Sequence, residues 1–325
     1  MDLSEAPRIA TREAYGLSLA ELGKSRGDIV VLDADLSGST RTKYFAQAFP
    51  DRFFNCGVAE ANMLGVAAGL ATGGKTVFAS SFAMFATGKA WEQIRQSVCV
   101  PELNVKICAT HAGLTVGEDG KSHQMLEDIT LMRVLPHMTV LVPADATEAA
   151  AAVRAAAEHD GPVYIRLSRA STPVLFPEDH PFAIGKGHLL RDGTDLALIA
   201  CGVEVVEALA AAELLAQDGF AVRVIDMPSI KPIDEDLICA AAEECGAIMT
   251  VEEHQVCGGL GDAVGEVVGA RCPVPVHKLG VHDTFGQSGT PTELLAHHGL
   301  DAAGIATSAR ALLTTLAADN KKGRA

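Results

Sequence analysis

The 325-residue chain is short of basic residues: 26 Lys and Arg stand against 41 Asp and Glu, a formal net charge of −15 at pH 7. That balance argues against non-specific binding to nucleic acid or to an anionic membrane surface. Its eight cysteines form no Cys-x-x-Cys pair, which points to reduced, mostly buried thiols rather than a disulfide framework. Cys239, Cys245, His254 and Cys257 are spaced too loosely for a metal site and read as core side chains. The start, "MDLSEAPRIATREAY", has no apolar core behind a basic stretch, so no signal peptide is expected. Apolar runs such as "LALIACG" are too short to span a bilayer, and no short-period repeat is visible. What is there is an acidic chain expected in the cytoplasm. It is 48% hydrophobic, enough for sizeable cores in roughly two domains of about 150 residues each.

Short apolar runs alternate with helical stretches. Strands are expected at 28–35, 75–81, 104–110, 138–144 and 162–168, with helices at 60–72, 88–99, 124–134 and 146–158 between them. Asp145 and Thr147 before an alanine-rich run mark a helix start. The stretch 168–195, broken by prolines and glycines and without a clear period, reads as a linker. Alternation then resumes, with strands at 196–202, 221–227, 247–253 and 274–280 and helices at 203–217, 260–270, 291–298 and 301–316. Such alternation builds parallel sheets covered by helices on both faces. The expected fold is therefore α/β, with two doubly wound domains at 1–185 and 186–325.

Parallel sheets hold ligands beyond the carboxyl ends of their strands, so the loops after the first-domain strands carry the interest. In "FFNCGVAEANMLGVAAGLATGGK" (53–75) a single acid, Glu60, opens a helix among small residues, with no basic residue from Phe53 to Gly74. A helix N-terminus favours an acid by itself. However, Gly57, Ala59, Ala61 and Gly65 would also let a flat ligand approach closely. The second loop, "THAGLTVGEDGKSHQ" (110–124), carries His111 and His123 around Glu118, Asp119 and three glycines. It suits a polyhydroxylated substrate better than a metal, since no compact His pair is present. In the second half, "EEHQVCGGLGDAVGE" (252–266) is glycine-rich before a helix and reads as close strand–helix packing rather than an anion cradle.

The segments "NCGVAEANM", "SSFAMF", "THAGLTVGEDGKSHQ", "LSR" and "HDTFGQSG" resemble, in order and over almost the whole chain, the C-terminal half of transketolase. The resemblance implies a thiamine-diphosphate-binding fold: a pyrimidine-binding domain followed by the family's C-terminal domain. It implies that Glu60 hydrogen-bonds the cofactor's pyrimidine ring and helps activate it. Phe82 would stack on that ring, with Phe85 beside it. His111 and His123 would bond substrate hydroxyls and assist proton transfer, and Asp119 would read a hydroxyl of the acceptor. Arg169 would grip the sugar phosphate, with Arg41 a second candidate for the same anion. The "HDTFGQSG" segment is expected to serve packing and dimerisation.

Two departures from the family pattern matter. Only a short segment, "YFAQAFPDRFFN", separates Tyr44 from Asn55, where full-length members carry an insertion with further phosphate contacts. Nothing in the chain reads as the G-D-G…N segment by which the family holds its metal and diphosphate. The resemblance therefore implies one subunit of a split transketolase, with no metal ligands of its own. An N-terminal partner subunit would hold the diphosphate with magnesium or calcium, in two copies of each chain. The implied reaction moves a two-carbon ketol unit from a ketose phosphate to an aldose. The alternatives are a beta-type subunit of a 2-oxo acid dehydrogenase, a deoxyxylulose-phosphate-synthase-like enzyme, or a non-catalytic subunit of the same fold.

Overall fold

The computed structural model describes residues 5–322, so the first residues of the sequence's start and the last three of its tail lie outside it. Fourteen strands among these residues form three sheets. They are β1 (Arg8–Ala10), β2 (Ile29–Asp33), β3 (Phe53–Asn55), β4 (Thr76–Phe82), β5 (Val105–Thr110), β6 (Thr139–Leu141), β7 (Val163–Arg166), β8 (Ser171–Pro173), β9 (His188–Arg191), β10 (Leu196–Ala200), β11 (Val222–Asp226), β12 (Ser229–Lys231), β13 (Ile248–Gln255) and β14 (Val276–Val281).

A seven-stranded sheet runs in the order β12-β6-β7-β5-β4-β2-β3. Its six first-half strands are all parallel. Strands β4 and β5 are buried at every position, as expected of a parallel sheet covered on both faces. One face packs under helix Glu60–Thr72, in a core that includes Met63, Leu64, Ala67 and Ile94. The other packs under helices Thr11–Ser25 and Ala146–Glu158, around Tyr15, Leu19, Phe78 and Val153. A five-stranded sheet, β14-β13-β10-β11-β9, forms the second unit, parallel except for β9 at its edge.

Four features depart from the sequence reading. Helices Thr11–Ser25 and Glu235–Cys245 form where no helix is expected. The stretch 168–195 is more than a linker, since it supplies β8, paired with β1, and β9, paired with β11. The expected helix at 88–99 is instead two wide π-helical turns, Met84–Lys89 and Ile94–Cys99, around a short α turn. Such wide turns often accompany functional sites. Finally, β12 from the second half pairs antiparallel with β6 and completes the edge of the first sheet. The two halves thus share backbone hydrogen bonds as well as a common hydrophobic cluster.

Candidate active site

Because β2, β3, β4, β5 and β7 are parallel neighbours, their carboxyl ends share one edge of the sheet. The loops leaving that edge carry Arg41 after β2, Glu60 after β3, Phe82 and Phe85 at the end of β4, His111 after β5 and Arg169 after β7. Topology alone thus gathers residues more than a hundred positions apart.

Glu60 is the first residue of its helix and is 2% exposed. It is not the lone acid that the sequence suggests: Lys89 Nζ donates to its Oε2 at 2.7 Å. Lys89 also lies 5.9 Å from the Phe85 ring centroid, which draws the chain from Glu60 into an aromatic wall. The Phe82 and Phe85 rings are 6.1 Å apart and nearly parallel. His123 meets Phe85 edge-on at 5.4 Å, and His111 stacks on Phe82 at 3.8 Å. At position 88 stands glycine, with only Met84 near its missing side chain, so no third ring extends the wall.

His111 occupies the left-handed region, φ 58°, and is 3% exposed. Its Nε2 lies 3.2 Å from the Arg12 guanidinium, and its Nδ1 lies 2.8 Å from Thr110 Oγ1. Arg12 can only donate, so Nε2 is the acceptor and the proton sits on Nδ1. Burial, then the charges of Arg12, Arg169, His123 and Arg41, push its pKa down to about 3. This ring is neutral at physiological pH.

Arg12 is the functional candidate that sequence reasoning missed. It sits near the start of a helix with no clear amphipathic pattern. It donates to Ser39 O at 3.0 Å, while its Nε is buried without a partner. Burial and then repulsion from Arg41 and Arg169 lower its pKa. Arg169 donates to Val116 O and stands 3.4 and 3.6 Å from Glu118 and Asp119. Arg41, with φ 71°, pairs with Glu13 at 2.7 Å. Its backbone packs so closely on Gly16 that a Cβ there would collide with it. Three guanidiniums around a neutral imidazole form an anion-attracting corner at one end of the aromatic wall.

The second unit holds the site's loop in place. Glu253, at the end of β13, accepts from Thr115 N at 2.9 Å and Thr115 Oγ1 at 3.2 Å. A Cβ on Gly113, φ 82°, would strike its carboxyl group. Arg166 bridges Glu253 and Asp128 with all three side chains buried. Gln124 donates to Gln287 O at 2.9 Å, and Gly120 packs against Ser288. So "HDTFGQSG" packs on the loop that carries His111, Asp119 and His123.

An aminopyrimidine ring needs a flat apolar face and a buried hydrogen-bonding partner. Phe82, Phe85 and Glu60 offer both. Among the described residues, no trio of His, Cys, Asp or Glu ligands stands on this face. The Cys239, Cys245, His254 and Cys257 set does not converge either. No helix of the described residues is long and apolar enough to cross a membrane.

Residues 7–174 match the transketolase pyrimidine-binding domain, and residues 185–305 match the transketolase C-terminal domain. A Methanocaldococcus jannaschii protein described as a transketolase C-terminal section is 53% identical over 91% of this chain and 93% of its own. A 6-deoxy-6-sulfo-D-fructose transketolase subunit of a Clostridium species is 42% identical over 92% of both chains. Rat transketolase is 41% identical, but the chain spans only 49% of its length. A solved structure titled as a split-gene transketolase in an inactive beta4 tetramer is 54% identical, with a TM-score of 0.88 over 94% of this chain and 99% of that one. The chain belongs to the transketolase family, as a split-type chain with the pyrimidine-binding and C-terminal domains.

Proposed function

We propose that this chain, divided near residue 185, is the half of a two-chain transketolase that grips the pyrimidine end of thiamine diphosphate and the sugar substrates. The observation that carries this reading is one continuous wall, Glu60–Lys89–Phe85–His123–Phe82–His111–Arg12, each member touching the next. Bound there, thiamine diphosphate would supply the nucleophilic carbon and electron sink for moving a two-carbon ketol unit from a ketose phosphate to an aldose.

The chain's own residues divide the remaining work. Glu60 holds a proton at the pyrimidine ring nitrogen from its buried place at the helix start. Phe82 and Phe85 orient the ring. Neutral His111, with His123 across the wall, bonds substrate hydroxyls, and Asp119 reads a hydroxyl of the acceptor. Arg12 and Arg169, with Arg41 behind them, attract the terminal anion of the sugar by charge-assisted hydrogen bonds. The anionic sugar in the clostridial relative's name supports an anion grip at this position.

The diphosphate, with a magnesium or calcium ion, falls to an N-terminal partner chain. The reading is supported by the shortfall against the rat enzyme and by an uncovered face of helix Glu60–Thr72. There Ala61, Asn62, Gly65, Val66 and Gly69 are exposed, and nothing lies within 4 Å of a Cβ on either glycine. Phe54 and Val58 extend that face at 46% and 74% exposure. Obligate interfaces are built from such surfaces, and two copies of each chain would bury it. Eight unpaired cysteines support a reducing, cytoplasmic setting.

The experiment is reconstitution. The chain alone should show no ketol transfer, and adding the partner should restore metal-dependent activity that saturates at one-to-one. Full activity from the isolated chain, free of host enzyme, would overturn this reading.

A further inference from the structure

Away from the active site, three ligand-type side chains converge where the two units meet, with a fourth beside one of them. Glu148 lies in the first turn of helix Ala146–Glu158, His180 in the connecting segment, His188 at the start of β9 and Asp226 at the end of β11. The ligating atoms of Glu148, His180 and His188 all lie within 4.8 Å of one another, and His188 Nε2 is 3.7 Å from Glu148 Oε1. His188 and Asp226 are register partners on neighbouring strands, so their side chains rise from the same face of the sheet. Asp226 also stands beside Glu148.

Glu148 and Asp226 hydrogen-bond each other, while the two ring nitrogens that face this carboxyl pair have no partner. His180 Nε2 and His188 Nε2 are buried without a hydrogen bond. Glu148 and Asp226 are 0% exposed. Buried polar atoms are paired in the great majority of cases, and two unpaired ring nitrogens facing one buried carboxyl pair call for a common explanation. Two fully buried carboxyl groups side by side need a proton or a cation between them.

The surrounding contacts pre-orient these side chains. Glu148 Oε2 accepts from Ala144 N at 2.7 Å, which turns Oε1 toward the cluster. Asp145 accepts from Leu175 N at 2.6 Å and Phe176 N at 2.9 Å, fixing the start of the connecting segment. The Phe176 ring then stacks on His180 at 3.9 Å. His180 and His188 are only partly buried, which leaves a path for an ion.

We propose that Glu148, His180, His188 and Asp226 form a binding site for one divalent transition cation, zinc by preference. Imidazole nitrogens and carboxylate oxygens are both donors that zinc takes, at a coordination number of four. Two carboxylates balance the charge of the ion. Tetrahedral bonds of about 2.0–2.2 Å require ligand atoms roughly 3.4 Å apart, which the two half-buried rings reach by small rotations. The ion would staple the first-unit helix, the connecting segment and the second-unit sheet together, and would give the C-terminal domain a fixed seat. Nothing in this proposal depends on the reading of the active site.

The test uses the full chain, stripped with a chelator and titrated with zinc alone by calorimetry. Binding should saturate at one ion per chain and raise the melting temperature by about 4 °C at hundredfold excess over Kd. His180→Ala, on a half-exposed segment and checked for folding by circular dichroism, and His188→Ala should each weaken binding by about 100-fold. Cobalt should give the visible absorption of tetrahedral nitrogen–oxygen coordination. Three results would each overturn the proposal: no saturable binding, binding unchanged in both histidine variants, or a cobalt spectrum with thiolate charge-transfer bands, which would put the ion on cysteine.

Discussion

Lys89 Nζ lies 2.7 Å from Glu60 Oε2, across 29 residues of sequence, and the two ends of this pair live in different worlds. The acid is 2% exposed and the amine 58%. An exposed lysine on a flexible stem can swing into water, while the carboxylate is fixed at the helix start. The pair therefore neutralises the acid without closing it off to a ligand ring.

Glu60→Gln in the assembled enzyme should slow deuterium exchange at the thiazolium carbon of thiamine diphosphate by at least about 100-fold, the usual size of a lost acid–base partner. The melting temperature should barely change. Lys89→Met removes the counter-charge but not the acid, so exchange should fall far less. An exchange rate unaltered in Glu60→Gln would sink the role given to this carboxylate.

Arg12 and Arg169 predict a split between substrates. Charge-assisted hydrogen bonds contribute roughly 1.5–3 kcal/mol, so Arg12→Ala or Arg169→Ala should raise KM for phosphorylated sugars by roughly 10- to 150-fold. The effect on glycolaldehyde-type acceptors without an anion should be much smaller. Equal effects on both classes would make these arginines structural.

His111 should leave a mark on acid stability. Its folded pKa, about 3, lies below the ordinary histidine value of 6.5, so the folded state takes up this proton later than the unfolded state. The stability that it contributes is present above about pH 6.5 and is lost as pH falls toward 3. Denaturation midpoints at pH 7, 5.5 and 4.5 should drop more steeply for wild type than for His111→Gln. Parallel curves would contradict the neutral, buried ring.

Glu253→Ala should couple stability to the distant loop. It strips one partner from buried Arg166 and both bonds from Thr115. Removing one side of a buried ion pair costs about 3–5 kcal/mol, and the loop bearing His111 and Asp119 should loosen, lowering kcat. Glu253→Gln keeps the shape and one acceptor, and should recover much of both. Full kcat in a folded Glu253→Ala variant would show that the second unit does not position this loop.

The local patterns of the sequence carry much of the fold. Apolar runs and helix starts are short-range signals, so helix 60–72 and helix 146–158, with Asp145 as its cap, end where the pattern says. The acid at 60 and the two histidines around a glycine-rich loop are also legible, because each sits at a strand's carboxyl end. The partners of these residues are not legible. Lys89 reaches Glu60 through a wide turn that reads as ordinary helix. Arg12 meets His111 from 99 residues away, and Glu253 meets Thr115 from 138 away. The cluster of Glu148, His180, His188 and Asp226 needs a helix, an irregular segment and a sheet edge to close together. The same closure carries β12 into the first sheet. Periodicity records which face of an element is apolar, whereas contacts between elements depend on how loops direct the chain and which surfaces then meet, and only the folded structure decides that.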